Sequence, residues 1–437
     1  MANKKSIVDA EEWIEIGDSS AKEGKLDEAI HCYTKAIKIN PNAAFAYFKR
    51  GSILLSIQNF KEALADFNNT IVLNPDFSFA YFKRGTIFIE YKNFLKAIDD
   101  FSTAISLNDQ VPFAYYQRGY CYYVLKAQDK AIDDFTKSID LNPTYMLAFL
   151  YRGNSYFEKR EYEEAIGDYH RAISLNPREE KAYLARGLAY ANLKKYKEAI
   201  IDYSNVIKIN PESLTAHNYR GLVYNGTKQF DKAISDFLHV IKLDPSLPDA
   251  YNNLGIAYFA SKEYAKAIDI YNKALELTPE STAIYFNRGN AHFNSKMYIE
   301  AIIDYDKAIE LQPNLASAYF GRAYTQVALK QYKDALKDLS RVIAINNKFY
   351  QAYILRGNIW VKLKQTKRAL EDFTLAIEIN PNIESAYINR GIAFKNDSRI
   401  EEAVQDFNEY LRISQRKDAN SIKVRQWIKK LGYEPIY

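Results

Sequence analysis

Cysteine is almost missing: Cys32 and Cys121 are the only two in 437 residues. Two thiols cannot make a disulfide framework or a four-ligand zinc site. A reducing compartment, the cytoplasm, is therefore expected. Histidine is nearly as scarce, and His31, His170, His217, His239 and His292 include no pair at ligand spacing. No metal, no cofactor and no catalytic residue is expected, and no phosphate-cradling G-x-x-x-x-G-K-[ST] run occurs. Apolar runs stay well short of the roughly 18–20 residues that span a bilayer. The opening MANKKSIVDAEEWIEIGD has no apolar signal core, so no secretory segment is expected.

Excess charge is also small. The chain carries 59 Lys/Arg against 54 Asp/Glu. Residues 412–437 hold seven of those bases and two of those acids, which leaves 52 of each in the rest. A neutral body argues against a nucleic-acid partner, whose footprint is a basic face. The basic end, Arg412 to Lys430, reads as the solvated face of a terminal helix, and no membrane partner is expected.

Proline is sparse but regularly placed. Pro41, Pro75, Pro143, Pro177, Pro211, Pro245, Pro279, Pro313 and Pro381 are separated by 34 residues or twice that. Proline breaks a helix interior, so helices begin and end at one fixed phase. Self-similarity at this period marks a solenoid. Numbered from Ala10, twelve units follow: 10–43, 44–77, 78–111, 112–145, 146–179, 180–213, 214–247, 248–281, 282–315, 316–349, 350–383 and 384–417. Residues 1–9 are a lead, and 418–437 a basic capping helix and tail, with no room left for another domain.

Within a unit, apolar residues recur at three- and four-residue spacing in two blocks. In unit 8 they are Tyr251, Leu254 and Tyr258, then Tyr264, Ala267, Ile268, Tyr271 and Ala274. Each unit is thus a helical hairpin. Position 8 is glycine in eleven units (Ala323 differs), position 20 alanine in all twelve, and position 24 aromatic in eleven (Leu339 differs). Small residues at 8 and 20 suit a close helix crossing, and rings at 4 and 24 fill the layers beside it. Past the twelfth unit, Val424, Trp427, Ile428 and Leu431 define one more amphipathic helix, which covers the end of the array.

This pattern resembles the tetratricopeptide repeat over 408 of the 437 residues. The resemblance implies an all-α, right-handed superhelical solenoid of antiparallel helix pairs. It also implies a concave groove, lined by the first helices, that holds a partner's peptide or helix. Groove positions 2, 5, 9, 12 and 13 carried over to units 2–4 give Phe45, Phe48, Phe79, Phe82, Phe113, Tyr116, Tyr120 and Tyr123. Further along, Asn218, Asn252, Asn253, Asn287 and Asn290 form an asparagine-rich middle. It resembles the asparagine-lined groove of O-linked N-acetylglucosamine transferase, and the amide can donate and accept along a peptide backbone. The lysine-and-asparagine clamp of the family's co-chaperones is not matched, because position 5 is never lysine.

Position 7 is arginine in ten units and position 23 aspartate in ten, and the same two units lack both. Units 1 and 8 have Ile16 with Cys32 and Leu254 with Ile270 instead. This internal covariation predicts pairing within each unit: Arg50–Asp66, Arg84–Asp100, Arg118–Asp134, Arg152–Asp168, Arg186–Asp202, Arg220–Asp236, Arg288–Asp304, Arg322–Asp338, Arg356–Asp372 and Arg390–Asp406. A row of arginines for phosphate or carboxylate ligands is the competing reading. The function expected is a non-enzymatic protein-interaction scaffold or adaptor. The alternatives are a structural subunit that self-assembles through the aromatic surface, or the substrate-recruiting partner of a separate enzyme.

Overall fold

A computed structural model describes residues 9–415 and 419–437. The lead assigned to 1–9 lies outside it except for Asp9, as do Arg416, Lys417 and Asp418 of the basic end. Every regular element among the described residues is an α-helix. The chain divides into two compact units, Met1–Ala216 and His217–Tyr437.

In each unit of this division the repeating element is a hairpin with a first helix of 13 residues, such as Met146–Glu158, and a second of 14, such as Tyr162–Leu175. The turn inside the hairpin is fixed by position 15. In repeat 8, Lys262 N–H donates to the Phe259 carbonyl at 3.0 Å and Glu263 N–H to the Tyr258 carbonyl at 2.8 Å. This pair of bonds is a Schellman cap, which needs a left-handed residue between helix and turn. Gly24 supplies it in repeat 1 with φ 80°, whereas Lys262 adopts φ 69°. Lysine or arginine takes this conformation in nine of the repeats.

The turn between repeats is built differently. Position 31 is extended, as at Asn176 (φ −136°, ψ 93°), which suits the residue before a proline. The Asn176 side-chain oxygen accepts from Arg178 N–H at 3.1 Å, an Asx turn that directs the chain into the next helix.

The two helices of a hairpin meet where glycine faces a ring. A β-carbon on Gly255 would lie 2.4 Å from Tyr271 Cε1, and one on Gly153 2.8 Å from Tyr169 Cε1. The rings behind these glycines are fully buried, as are the alanines at position 20. In repeat 10, Ala323 stands beside Leu339, and both are fully buried. The single repeat with a β-carbon at position 8 is therefore the single repeat without a ring at 24, because a smaller side chain makes the room.

At the N-terminal end, the Asp9 side chain caps the first helix by accepting from Glu12 N–H at 2.9 Å. At the other end, Ala419–Lys430 lays Val424 and Ile428 into the core of repeat 12, with Trp427 at 5.6 Å from Phe407.

Candidate functional site

Position 7 of the first helix and position 23 of the second face each other beside the glycine. Arg50 Nε donates to Asp66 Oδ2 at 2.8 Å, and Nη2 donates to Oδ1 at 2.7 Å. The same two-bonded fork joins Arg84 to Asp100, Arg118 to Asp134, Arg152 to Asp168 and Arg186 to Asp202. It recurs at Arg220–Asp236, Arg288–Asp304, Arg322–Asp338, Arg356–Asp372 and Arg390–Asp406. The aspartates are buried and the arginines about one-fifth exposed. Burial pushes the carboxyls of Asp100, Asp134, Asp168 and Asp406 above the usual range, against the pull of the arginine beside each. The hydrogen bond to aspartate raises Arg50, Arg84 and Arg118.

The guanidinium has a third arm that the sequence pattern did not suggest. Its Nη1 reaches position 25 of the preceding repeat: Arg152 donates to Thr136 Oγ1 at 3.0 Å, Arg84 to Asn68 Oδ1 at 2.8 Å and Arg118 to Ser102 Oγ at 3.0 Å. Arg322 meets Asp306 in the same way. One side chain thus ties three helices together, which leaves little of it for a phosphate or carboxylate ligand. Position 25 varies in identity but supplies an acceptor at each of these links. Where repeat 8 lacks the arginine, position 25 of repeat 7 is Leu238. Leu254 is fully buried there and packs with Ile270 and Phe237. The polar triplet is replaced by three apolar residues, of which Leu254 is buried and Leu238 remains 46% exposed. In repeat 12, with no thirteenth arginine to follow, Asn408 at position 25 accepts from Ile436 N–H of the tail at 3.0 Å.

The aromatic candidates divide by position. Phe45, Phe79 and Phe113, at position 2 of repeats 2–4, are each 48% exposed. Lys49 Nζ lies 4.8 Å over the Phe45 ring. Position 5 behaves otherwise. Phe48 packs edge-on against Phe77 at 4.7 Å, and Phe82 lies tilted against Phe101 at 5.6 Å. Tyr116 is only 8% exposed, so it is a core residue and not a groove-lining one. Tyr145 at 4.9 Å and Tyr151 at 6.0 Å cover it, and burial raises its phenol. Tyr120 and Tyr123 are half-buried against the same Tyr151, at 5.3 and 5.6 Å. A ring at position 34 is what covers position 5: Phe77 over Phe48, Tyr145 over Tyr116, and Phe349 over Phe320 at 5.1 Å. Position 34 carries this signal in the sequence, at the boundary of the repeat.

The asparagines are linked to one another and to the core. Asn253 Nδ2 donates to Asn218 Oδ1 at 3.0 Å, and Asn287 Nδ2 to Asn252 Oδ1 at 3.1 Å, each from one repeat to its predecessor. Asn290 accepts from the buried Tyr305 hydroxyl at 2.8 Å. All five are half-buried. Cys32 and Cys121 are buried thiols, and burial pushes Cys121 up to about 12. Among the described residues no group of three His, Cys, Asp or Glu is placed to hold a metal ion, and no helix is long and apolar enough to cross a membrane.

Sequence profiles of the tetratricopeptide repeat match residues 112–145, 180–213, 248–281 and 282–315. Further profiles of the same repeat match 17–57, 153–194 and 223–262, then 304–337, then 350–383. Together they span more than half of the sequence, and the chain belongs to the tetratricopeptide repeat family. No curated protein matches it. Among solved structures, it is similar to the APC/C hetero-tetramer Cut9–Hcn1, at 12% identity and a TM-score of 0.45, with 95% of each chain covered. It is similar to yeast Tom70 at 16% identity and a TM-score of 0.42, over 95% of this chain and 99% of that one. MamA is similar to a shorter stretch, 38% of this chain and 97% of its own, at 29% identity and a TM-score of 0.36.

Proposed function

We propose that the chain is a non-enzymatic scaffold that captures an apolar or amphipathic peptide, or a helix, on the first helices of repeats 2–4. Tetratricopeptide repeats in general support protein–protein interaction. The observation that supports this site is the exposure of three phenylalanines at one position of three consecutive repeats. Phe45, Phe79 and Phe113 stand half out of the surface while the rings behind them are packed. Exposed apolar groups repeated along one face mark an interaction surface, and rigid aromatic anchors are what peptide recognition uses. The working place of such a scaffold is the cytoplasm, in keeping with two free thiols.

The test uses peptides selected from a random library on the wild-type protein. Phe45→Ser/Phe79→Ser/Phe113→Ser should weaken their binding at least about tenfold, equal to about 1.4 kcal/mol, at an unchanged melting temperature. Equal binding to both proteins would reject the site. Phe48, Phe82 and Tyr116 are unsuitable for this purpose, because truncating packed rings leaves cavities.

A further inference from the structure

In the second unit the two edges of the repeat stack carry opposite charge. The turns inside the hairpins lie at one edge and the turns between repeats at the other, separated by a helix length of roughly 20 Å. In repeats 7–11 the inner-turn windows 226–232, 260–266, 294–300, 328–334 and 362–368 hold eleven Lys/Arg and four Asp/Glu, a balance of +7. The opposite windows 242–249, 276–283, 310–317, 344–351 and 378–385 hold two bases and seven acids, a balance of −5. The first unit lacks this basic edge: its inner-turn windows 22–28, 56–62, 90–96, 124–130, 158–164 and 192–198 hold twelve bases and eleven acids.

The lysines at the centre of the basic edge occupy the left-handed position of each turn, where glycine fits without strain. Lys228, Lys262, Lys296, Lys330 and Lys364 are all exposed, with φ between 60° and 69°. Among the described residues, none of the five forms an ion pair. An open groove of about 500 Å³ between two neighbouring turns is lined by Lys228, Lys232 and Lys262, with Asp231 at its side. Across the stack, Glu276, Glu280 and Glu378 are exposed and likewise unpaired.

The geometry points to a second copy of this chain as the occupant: the basic edge of repeats 7–11 docks on the acidic edge of the same repeats in a neighbouring molecule. The two edges differ, so each copy keeps one of each unused. Such a heterologous contact grows into open chains instead of closing as a dimer. This surface is separate from the phenylalanines of repeats 2–4. Because the contact is electrostatic, it weakens as salt shortens the screening length from roughly 20 Å at 20 mM to a few Å at 500 mM.

Sedimentation velocity from 5 to 200 µM tests this. Wild type should form species larger than the 50.5 kDa monomer at 20 mM salt, with apparent affinity falling at least about tenfold by 200 mM salt. Lys228→Glu/Lys262→Glu/Lys330→Glu/Lys364→Glu makes both edges acidic. Glu276→Lys/Glu280→Lys/Glu378→Lys makes both net basic. Each variant alone should stay monomeric and keep its helical circular-dichroism spectrum. Mixed one to one, they should pair through the surviving wild-type edges and stop at a heterodimer. A wild-type monomer at 200 µM and 20 mM salt, association indifferent to salt, or a mixture that stays monomeric would each overturn the assignment. If a variant fails to fold, the salt dependence of wild type still decides.

Discussion

Removing Arg152 alone should be far more damaging than removing its whole polar environment. Arg152→Ala leaves Asp168 buried without the two bonds of 2.8 and 2.7 Å that satisfy it, and leaves Thr136 without its donor. A buried charge stripped of its partner costs about 3–5 kcal/mol. The arginine side chain is 18% exposed and the aspartate 7%, so water reaches one side and the lower end, about 3 kcal/mol, applies. The triple change Thr136→Leu/Arg152→Leu/Asp168→Ile installs the residue types that repeats 7 and 8 already use at Leu238, Leu254 and Ile270. Replacing a buried pair by well-packed apolar groups is close to neutral, and a loss under about 1 kcal/mol is expected. Long repeat arrays need not unfold in one step, so the assay is amide hydrogen exchange read over the helices of repeat 5. Equal loss of protection in the two variants would refute the reasoning, since it would mean that the triplet acts through shape alone.

Gly255→Ala should destabilise repeat 8 by about 1–2 kcal/mol, the overpacking of a β-carbon against Tyr271 less the better helix propensity of alanine. Tyr271→Leu added to it should recover part of that loss, as Ala323 beside Leu339 does in repeat 10; urea titrations of the single and double variants check the coupling. Stability should also fall as pH rises past about 9. Burial pushes Cys121 and Tyr145 up to about 12 and raises Tyr33 and Tyr169 as well, whereas an unfolded thiol and phenol ionise near 9 and 10. The unfolded chain then releases protons that the folded one keeps, so the stabilisation present below pH 9 is lost as pH climbs toward 12. A urea midpoint constant between pH 8 and 11 would contradict this.

The phase of the fold was legible because proline, glycine, alanine and arginine each occupy one position out of 34. The in-register arginine and aspartate could be read as partners because two repeats lack both. The third arm of the arginine was not read, since its acceptors are Thr, Asn, Ser and Asp and share a function without sharing an identity. Leu238 was the clue: it is apolar at the boundary where the next arginine is missing. The candidate groove was less legible for a related reason. Family positions say which residues of an isolated hairpin face the groove, but a ring at position 34 closes over position 5. Whether Phe48 or Tyr116 is a surface depends on Phe77 or Tyr145, some thirty residues away. The basic edge was invisible to a net-charge count, because its excess is balanced by the acidic edge of the same repeats.

Repetition within one chain separates two kinds of constraint. Where every hairpin must solve the same packing problem, the same residue returns, and exceptions arrive as sets: Ala323 with Leu339, or Leu238 with Leu254 and Ile270. Such compensated exceptions are the mark of structure, because a change at one place is answered by its neighbour. Phe45, Phe79 and Phe113 share that signature in part, because Phe45 meets Phe48 at 6.5 Å, Phe79 meets Phe77 at 6.5 Å and Phe113 meets Tyr145 at 4.9 Å. After repeat 4 position 2 turns to Leu147 and Lys181 as position 5 turns to Leu150 and Leu184, so the two positions change together. What that packing leaves over is the exposed half of each ring, 48% for all three, and it is this half that the proposed peptide would cover. The lysines of the inner turns recur in both units, where a cation just past a helix C-terminus is favoured by the helix dipole, so only their excess over acids in repeats 7–11 is left for the proposed contact.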